Sequence, residues 1–341
     1  MPSPWLALPA TVAAAIALGC GAPSDAGRRG AEGEPPPHRA DDPRWSPADP
    51  PPGPAPSAAS VELPAVRGGC PIPARYGGEL RLGIPFAPGL ALDLAVPAGP
   101  GPHPWVVVLH GGGWNAGERA HVRHEIRILA ALGYAGAAVD YRLVGPRGEH
   151  AFPAAAADAR CAIRHLRRAA ARYRLDPGRS AAFGLSAGGH LALVAALGSG
   201  RSDLDDGSCP DRATSPAVQA VLALYGPADL RRRDGYGAYA NRVIDALLGG
   251  PERRLAALAS PISLVSSDDP PTFLAHGALD EVVPVDESRR LRTALQRAGV
   301  PVRYVEEPTQ GHSFLLFDRT PELPRVTCTA LAFLARTIGG R

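Results

Sequence analysis

The feature that most constrains the fold of this chain is the segment 183–190, which reads Gly-x-Ser-x-Gly around Ser186. An apolar run precedes this segment and a helix-prone run follows it, so the pattern predicts a strand, a sharp turn and a helix. Gly184 and Gly188 suit such a turn because a side chain on either would clash there. The helix would direct its N-terminal N–H groups towards negative charge developing beside the serine. Ser186 is therefore the candidate nucleophile.

Strand-like and helical stretches alternate from about Cys70 onward. The strand-like stretches are residues 79–82, 90–96, 105–109, 135–140, 180–184, 218–224, 272–276 and 302–305. The helical stretches are residues 120–132, 154–173, 187–197, 287–299 and 322–338. This alternation indicates βαβ units, and the uninterrupted apolar run at 105–109 is typical of a strand buried on both faces. We predict an α/β fold with a mostly parallel sheet in one domain, residues 69–341.

Three successive glycines follow the buried strand 105–109 and lead into Trp114. At the carboxyl end of a parallel strand, such a loop turns backbone N–H groups into a concave anion site. Acyl transfer needs this site because the substrate carbonyl oxygen becomes an oxyanion, and one donor contributes about 2.7–4 kcal/mol. Together with the segment around Ser186, the loop is better explained as an oxyanion site than as an ordinary turn. Trp114 is expected to wall one side of an acyl pocket.

A serine nucleophile also needs a base and an acid. Asp280 comes just after the strand 272–276, and His312 follows the strand 302–305. Ligands gather at the carboxyl ends of strands in open α/β sheets, which favours these two residues. Glu281 is the rival acid and Glu307 a weaker one. Three other histidines are expected to be structural: His110 braces the glycine loop, His190 packs under the turn at Ser186, and His276 closes a strand.

Several segments resemble bacterial α/β-hydrolase carboxylesterases, above all the hormone-sensitive-lipase-like enzymes and the related acetyl-xylan and feruloyl esterase group. The segments are HGGGW at 110–114, DYRL at 140–143, GLSAGGHLA at 184–192, ASPI at 259–262 and PPTFL at 270–274. The resemblance covers roughly residues 76–335. It implies the α/β-hydrolase fold, with helices on both faces of a mostly parallel sheet, and the order nucleophile, acid, base along the chain. It implies no metal or organic cofactor.

The resemblance also assigns the oxyanion donors. In that family they are the second and third glycines of the loop and the residue after the serine, here Gly112, Gly113 and Ala187. Many hormone-sensitive-lipase-like members carry an acidic residue where this chain has Leu185. The difference favours the acetyl-xylan and feruloyl group.

The predicted function is that of a serine carboxylesterase acting on small ester substrates through Ser186, His312 and Asp280. Acetyl to butyryl esters are expected, with acetylated or feruloylated carbohydrate among the candidates, because the segment between strands 218–224 and 272–276 lacks a long apolar amphipathic helix. Whether that segment meets the substrate is left open. The fold alone does not exclude an exported serine peptidase or a non-catalytic envelope-binding lipoprotein.

The N-terminal residues predict export from a bacterial cell. Residues 5–19 are almost entirely apolar but too short to span a bilayer, so residues 1–20 read as a signal peptide. Residues 17–20 resemble a lipobox, in which Cys20 would be lipidated and attach the protein to a membrane; a simple secretory signal is the alternative. Residues 21–68 are rich in Pro, Gly and Ala and predict a disordered tether. The protein would then lie in the cell envelope or be secreted.

Charge and cysteines limit the partners and cross-links. The formal net charge is only +3, and the arginines of the predicted helix 154–173 read as a solvated face, so nucleic acid is not an expected partner. If Cys20 is lipidated, four cysteines remain, and they allow three full disulfide connectivities. Those four are Cys70, Cys161, Cys209 and Cys328. Cys161 lies mid-helix and is equally compatible with a free, buried apolar side chain.

Overall fold

The computed structural model describes residues 61–62, 70, 75–250, 255–314 and 324–339. The predicted signal peptide with Cys20, and the tether apart from residues 61–62, lie outside these ranges. The division of the chain at residues 20 and 68 therefore stays a prediction.

The described strands are β1 Val61–Glu62, β2 Arg75–Tyr76, β3 Glu79–Ala87, β4 Leu90–Val96, β5 His103–Leu109, β6 Ala135–Val139, β7 Leu175–Leu185, β8 Ala220–Leu224, β9 Thr272–Gly277 and β10 Val302–Glu307. The last eight form one sheet in the order β10-β9-β8-β7-β5-β6-β4-β3. β4 runs antiparallel to both of its neighbours, β3 and β6. The other neighbouring pairs are parallel: β6 with β5, β5 with β7, β7 with β8, β8 with β9, and β9 with β10. The mostly parallel α/β sheet predicted from the alternation is confirmed.

The described helices are α1 Arg123–Ala131, α2 Ala154–Arg168, α3 Ala187–Leu197, α4 Ala238–Leu247, α5 Asp286–Arg297 and α6 Pro324–Thr337. α3 has the predicted bounds, whereas α2 ends before the predicted residue 173. Beyond α2 the chain turns, with the Leu175 N–H donating to the Ala170 carbonyl oxygen at 2.8 Å. Arg174 adopts a φ of 56° there and redirects the backbone into β7.

The apolar residues of β5 are divided between two cores because alternate side chains of a strand point to opposite faces. Trp105, Val107 and Leu109 pack with residues of α2 and α3, and Val106 and Val108 pack with residues of α1 and α6. Each fully buried aliphatic side chain contributes about 1.5–3 kcal/mol. This two-sided burial explains the uninterrupted apolar run, and it holds the carboxyl end of β5 in the centre of the sheet.

Two arginines of α2 are buried, contrary to the expected solvated face. Arg160 and Arg164 both donate to the Asp205 carboxylate at 2.8–3.2 Å, and Arg160 also donates to the Gly198 carbonyl oxygen at 2.6 Å. Burial alone would raise the pKa of Asp205, but these charged hydrogen bonds lower it to about 2. Helical periodicity missed this because the partner carboxylate lies on a distant loop.

Two disulfides select one of the three connectivities that the sequence left open. Cys161 of α2 is bonded to Cys209, and Cys70 is bonded to Cys328 of α6. Cys161 is therefore a cross-linked residue and not a free apolar one.

Removing the bond between Cys161 and Cys209 should destabilise the domain without altering its chemistry. The two cysteines are 48 residues apart, and a cross-link over such a loop contributes about 2–4 kcal/mol. We expect Cys161→Ser with Cys209→Ser to lower the midpoint of thermal unfolding by roughly 5–10 °C. Calorimetry of the wild type and the double variant measures this. An unchanged midpoint would show that the two thiols are not bonded in the folded protein.

Candidate active site

Ser186 lies at the junction of β7 and α3 in a conformation that side chains rarely adopt. Its φ is 54° and its ψ is −120°. The Ser186 N–H donates to the Leu224 carbonyl oxygen of β8 at 2.9 Å, and the His190 N–H donates to the Ser186 carbonyl oxygen at 3.0 Å. These bonds hold the strained serine against the sheet and the first turn of α3.

Two glycines make this turn possible because backbone passes where their side chains would be. A Cβ atom on Gly184 would lie 2.1 Å from the Gly188 carbonyl oxygen. A Cβ atom on Gly188 would lie 2.1 Å from the Leu109 carbonyl oxygen at the end of β5. The predicted need for glycine at both positions thus has a direct steric cause.

The structure brings Ser186, His312 and Asp280 together in that order. His312 Nε2 lies 2.9 Å from Ser186 Oγ, and His312 Nδ1 lies 2.7 Å from Asp280 Oδ2. A carboxylate only accepts, so His312 Nδ1 carries the hydrogen and Nε2 is left to accept the serine proton. The arrangement is therefore competent for deprotonation of the serine.

The Asp280 carboxylate is completely buried and surrounded by donors. Its Oδ1 accepts from the Val282 and Val283 N–H groups at 2.9 and 2.8 Å, and its Oδ2 contacts His276 Nε2 at 3.2 Å as well as His312. Burial alone would raise the pKa of Asp280, but the hydrogen bonds from His276 and His312 outweigh it and hold the pKa well below its usual range. Asp280 is thus ionised at neutral pH. Glu281 is exposed at the surface.

Tyr225 was not found by sequence reasoning, although it directly follows strand β8. Its ring meets the His312 ring edge-on with centroids 4.7 Å apart, and its hydroxyl donates to the Phe314 carbonyl oxygen at 2.7 Å. Tyr225 is buried, so it fixes both the imidazole and the backbone just beyond it. Its place after a central strand was the available signal.

The glycine loop lies directly beside the nucleophile. Gly112 and Gly113 have φ values of 117° and 58°, and the Gly112 carbonyl oxygen accepts from the Asn115 and Ala116 N–H groups. A Cβ atom on Gly111 would lie 3.4 Å from Ser186 Cβ. Ala187, the third predicted donor residue, is the first residue of α3. The structure thus places Gly111 and Ala187 against the serine, and Gly112 and Gly113 follow Gly111 in the loop; the role of Gly112, Gly113 and Ala187 as oxyanion donors stays a prediction.

Two buried histidines brace this loop. His110 Nδ1 donates to the Gly111 carbonyl oxygen at 2.7 Å, and the Tyr141 hydroxyl donates to the His110 carbonyl oxygen. The Trp114 indole N–H donates to His190 Nδ1 at 3.2 Å, so His190 Nε2 donates to the Ala259 carbonyl oxygen. Burial lowers the pKa of His190 to about 4, which keeps this ring neutral.

Trp114 is only 3% exposed: it packs in the apolar core, and its ring meets the His190 ring edge-on with centroids 5.1 Å apart. Little of the indole surface is left for a substrate. Its predicted place in the acyl pocket stays a prediction.

The segment between β8 and β9 contacts the glycine loop and the loop that follows Asp280. A Cβ atom on Gly113 would lie 3.1 Å from Val243 Cγ1 of α4, and one on Gly235 would lie 3.0 Å from Pro284, just after the acid loop. The segment therefore borders the site. Within the described ranges, no three His, Cys, Asp or Glu side chains are grouped to hold a metal ion. No helix there is long and apolar enough to cross a bilayer.

The chain is similar to known esterases in sequence and in fold. Residues 92–295 match the BD-FAE protein family. The esterase LipC of Mycobacterium tuberculosis is 32% identical over 67% of this chain and 58% of its own length. The chain spans only 50–58% of the length of LipC and two further mycobacterial relatives.

Solved esterase structures superpose on most of the chain. The butyrate-bound esterase Est2 of Thermogutta terrifontis has a TM-score of 0.63 at 27% identity and covers 76% of this chain and 94% of its own. A truncated carbohydrate esterase from gut microbiota has a TM-score of 0.64 at 25% identity and covers 72% of this chain and 90% of its own.

Replacing each of the two candidate acids, Asp280 and Glu281, by its amide tests which carboxylate orients His312. Asp280→Asn replaces an accepting oxygen by an amide, which favours the wrong His312 tautomer. It should lower kcat for p-nitrophenyl acetate by about 10³–10⁴-fold. Glu281→Gln is the matched control and should stay within about twofold of wild type, because exposed charges away from the reacting atoms contribute little. A larger loss in Glu281→Gln than in Asp280→Asn would show that Asp280 is not the acid.

Proposed function

The chain belongs to the BD-FAE family of α/β-hydrolase esterases, and we propose that it is a serine carboxylesterase of short-chain esters. The observation that carries this proposal is the hydrogen-bonded series from Ser186 through His312 to Asp280, beside the glycine loop. Nucleophile, base, acid and a candidate oxyanion site thus lie at one edge of the sheet, as acyl transfer requires.

The proposed reaction has two halves. His312 Nε2 takes the proton of Ser186 as its oxygen attacks the ester carbonyl carbon, and the negative charge moves to the carbonyl oxygen. The N–H groups of Gly112, Gly113 and Ala187 stabilise that oxyanion, while ionised Asp280 stabilises the imidazolium. His312 then protonates the leaving alcohol, which leaves an acyl-enzyme. Water repeats the sequence, releases the acid and restores the serine.

Small acyl groups are proposed because the segment that borders the glycine loop offers little apolar surface. Its helix α4 has only 10 residues, and a Cβ atom on Gly113 would lie 3.1 Å from Val243 Cγ1 of that helix. Est2, which shares the fold, is described with propionate and with butyrate bound, and this supports acetyl to butyryl as the acyl range. Similarity to a carbohydrate esterase supports a carbohydrate ester as the natural substrate, and we propose that it is acetylated or feruloylated.

Export is part of the proposal. Two disulfides in the described part of the chain support folding in an oxidising compartment, since such bonds are rare in the cytosol. The apolar N-terminal segment ending in Cys20 would direct the protein to the envelope and, if lipidated, hold it at a membrane.

A series of p-nitrophenyl esters measured below the micelle threshold tests the activity and its acyl range. We expect kcat/KM to be highest from acetyl to butyryl and to fall about tenfold or more by octanoyl, because the short helix α4 offers no long apolar surface to a longer chain. A tenfold loss corresponds to about 1.4 kcal/mol of lost transition-state binding.

Ser186→Ala is the control for this series and should lose at least about 10³-fold while unfolding at the wild-type temperature. Rising rates towards decanoyl, or activation by an oil interface, would contradict the short-chain assignment. Faster cleavage of aminoacyl nitroanilides than of esters would indicate a peptidase. A wild type inactive on every substrate would favour a binding protein.

Membrane attachment is tested by Cys20→Ser expressed in a bacterium that processes lipoproteins. The wild type should sediment with membranes because a lipidated cysteine, with its acyl chains, anchors stably, and the variant should not. Cys161→Ser serves as the control and should leave fractionation unchanged. If wild type and Cys20→Ser fractionate alike, or if the mature mass contains no lipid, Cys20 is not a lipidation site.

A further inference from the structure

His276 was expected to be structural, but it contacts the candidate acid. It is the penultimate residue of β9 and is completely buried. Its Nε2 lies 3.2 Å from Asp280 Oδ2 and 3.0 Å from the Val283 carbonyl oxygen, and its Nδ1 lies 2.7 Å from Ser288 Oγ. The ring therefore lies between the acid loop and helix α5.

The partners determine which nitrogen of His276 carries hydrogen. Both neighbours of Nε2, a carboxylate and a carbonyl oxygen, can only accept hydrogen bonds. Nε2 must therefore be protonated and donate, shared between Asp280 and Val283. The Ser288 hydroxyl can either donate to Nδ1 or accept from it, so it satisfies the second nitrogen without affecting the donation by Nε2. His276 thus directs an N–H at the same carboxylate oxygen that accepts from His312.

A second carboxylate near this histidine, that of Glu306, has other hydrogen-bond partners. Glu306 of β10 is the cross-strand partner of His276. Its carboxylate accepts from Arg289 at 2.6 Å and from the Tyr304 hydroxyl at 2.6 Å. Asp280 is therefore the carboxylate to which His276 donates its hydrogen bond.

The position of this extra donor matters because of how Asp280 is held. The two backbone N–H groups both bind Oδ1, so Oδ2 is held by side-chain donors alone, His312 and His276. The donor from His276 holds Oδ2 independently of His312 and sets the plane in which Oδ2 meets His312. Because the Asp280 side chain has no exposed surface in the folded protein, bulk water does not supply this contact.

We propose that His276 is a positioning residue: its Nε2–H orients the Asp280 carboxylate towards His312. This rests on the proposed function, because it concerns the acid of that reaction. His276 touches Asp280 and not the reacting atoms. Its loss should therefore reduce turnover and leave substrate binding unaffected.

Two variants of His276 that carry an amide side chain test whether the hydrogen bond donated by Nε2 matters, or only the volume of the ring. The side-chain nitrogen of His276→Gln can reach the position of Nε2, whereas that of His276→Asn reaches only the position of Nδ1. We expect His276→Asn to lower kcat for p-nitrophenyl acetate by about 10–100-fold with KM within about twofold, since a hydrogen bond to a buried charge is lost. His276→Gln should recover most of that loss.

Ser288→Ala is the matched control, because it removes the partner of Nδ1 and leaves the Nε2–H in place. It should keep kcat within about threefold of wild type, and thermal unfolding of all variants checks that they are folded. Equal losses in the Asn and Gln variants, wild-type kcat in His276→Asn, or a change confined to KM would each overturn the proposal. A wild type without esterase activity would instead overturn the proposed function, so the two failures are distinguishable.

Discussion

The close approach of backbone at Gly184 and Gly188 is the constraint on which the site depends. Side chains at these positions would collide with the first turn of α3 and with the end of β5, at 2.1 Å in each case. Only with glycine can β7 turn directly into α3 and lift Ser186 above the sheet. The same contact brings the glycine loop after β5 to the serine, so the packing of β5 against α3 places the candidate nucleophile beside the proposed oxyanion loop.

The candidate acid and the candidate base reach the serine because the strands that precede them are parallel neighbours. Tyr225, Asp280 and His312 follow β8, β9 and β10, whose carboxyl ends lie side by side. The register continues into the loops: a Cβ atom on Gly277 would lie 2.3 Å from the Gln310 carbonyl oxygen, so the two loops pass in contact. The relative positions of Tyr225, Asp280 and His312 are therefore set by the carboxyl ends of three neighbouring parallel strands.

The histidines of the site differ in how deeply they are buried and in their hydrogen-bond partners. His190 and His276 are completely enclosed, and fixed donors and acceptors determine their tautomers. His312 keeps part of its ring exposed and faces both Asp280 and Ser186, which is the arrangement that the proposed proton transfer needs. Burying the ionised Asp280 is costly in itself, and its N–H donors offset that cost. An acid with so many fixed partners is preorganised before any substrate arrives.

The amino-acid sequence by itself determined the α/β alternation, the strand–turn–helix at Ser186 and the order of Ser186, Asp280 and His312. These follow from local rules: side-chain periodicity, the steric demand for glycine and the position of polar residues after buried strands. The contact of Asp280 rather than Glu281 with His312, the bracing by Tyr225 and His276, the burial of Arg164 and the disulfide pairs became visible only in the tertiary structure. Each depends on which side chains from distant parts of the chain meet, and periodicity holds no information about that.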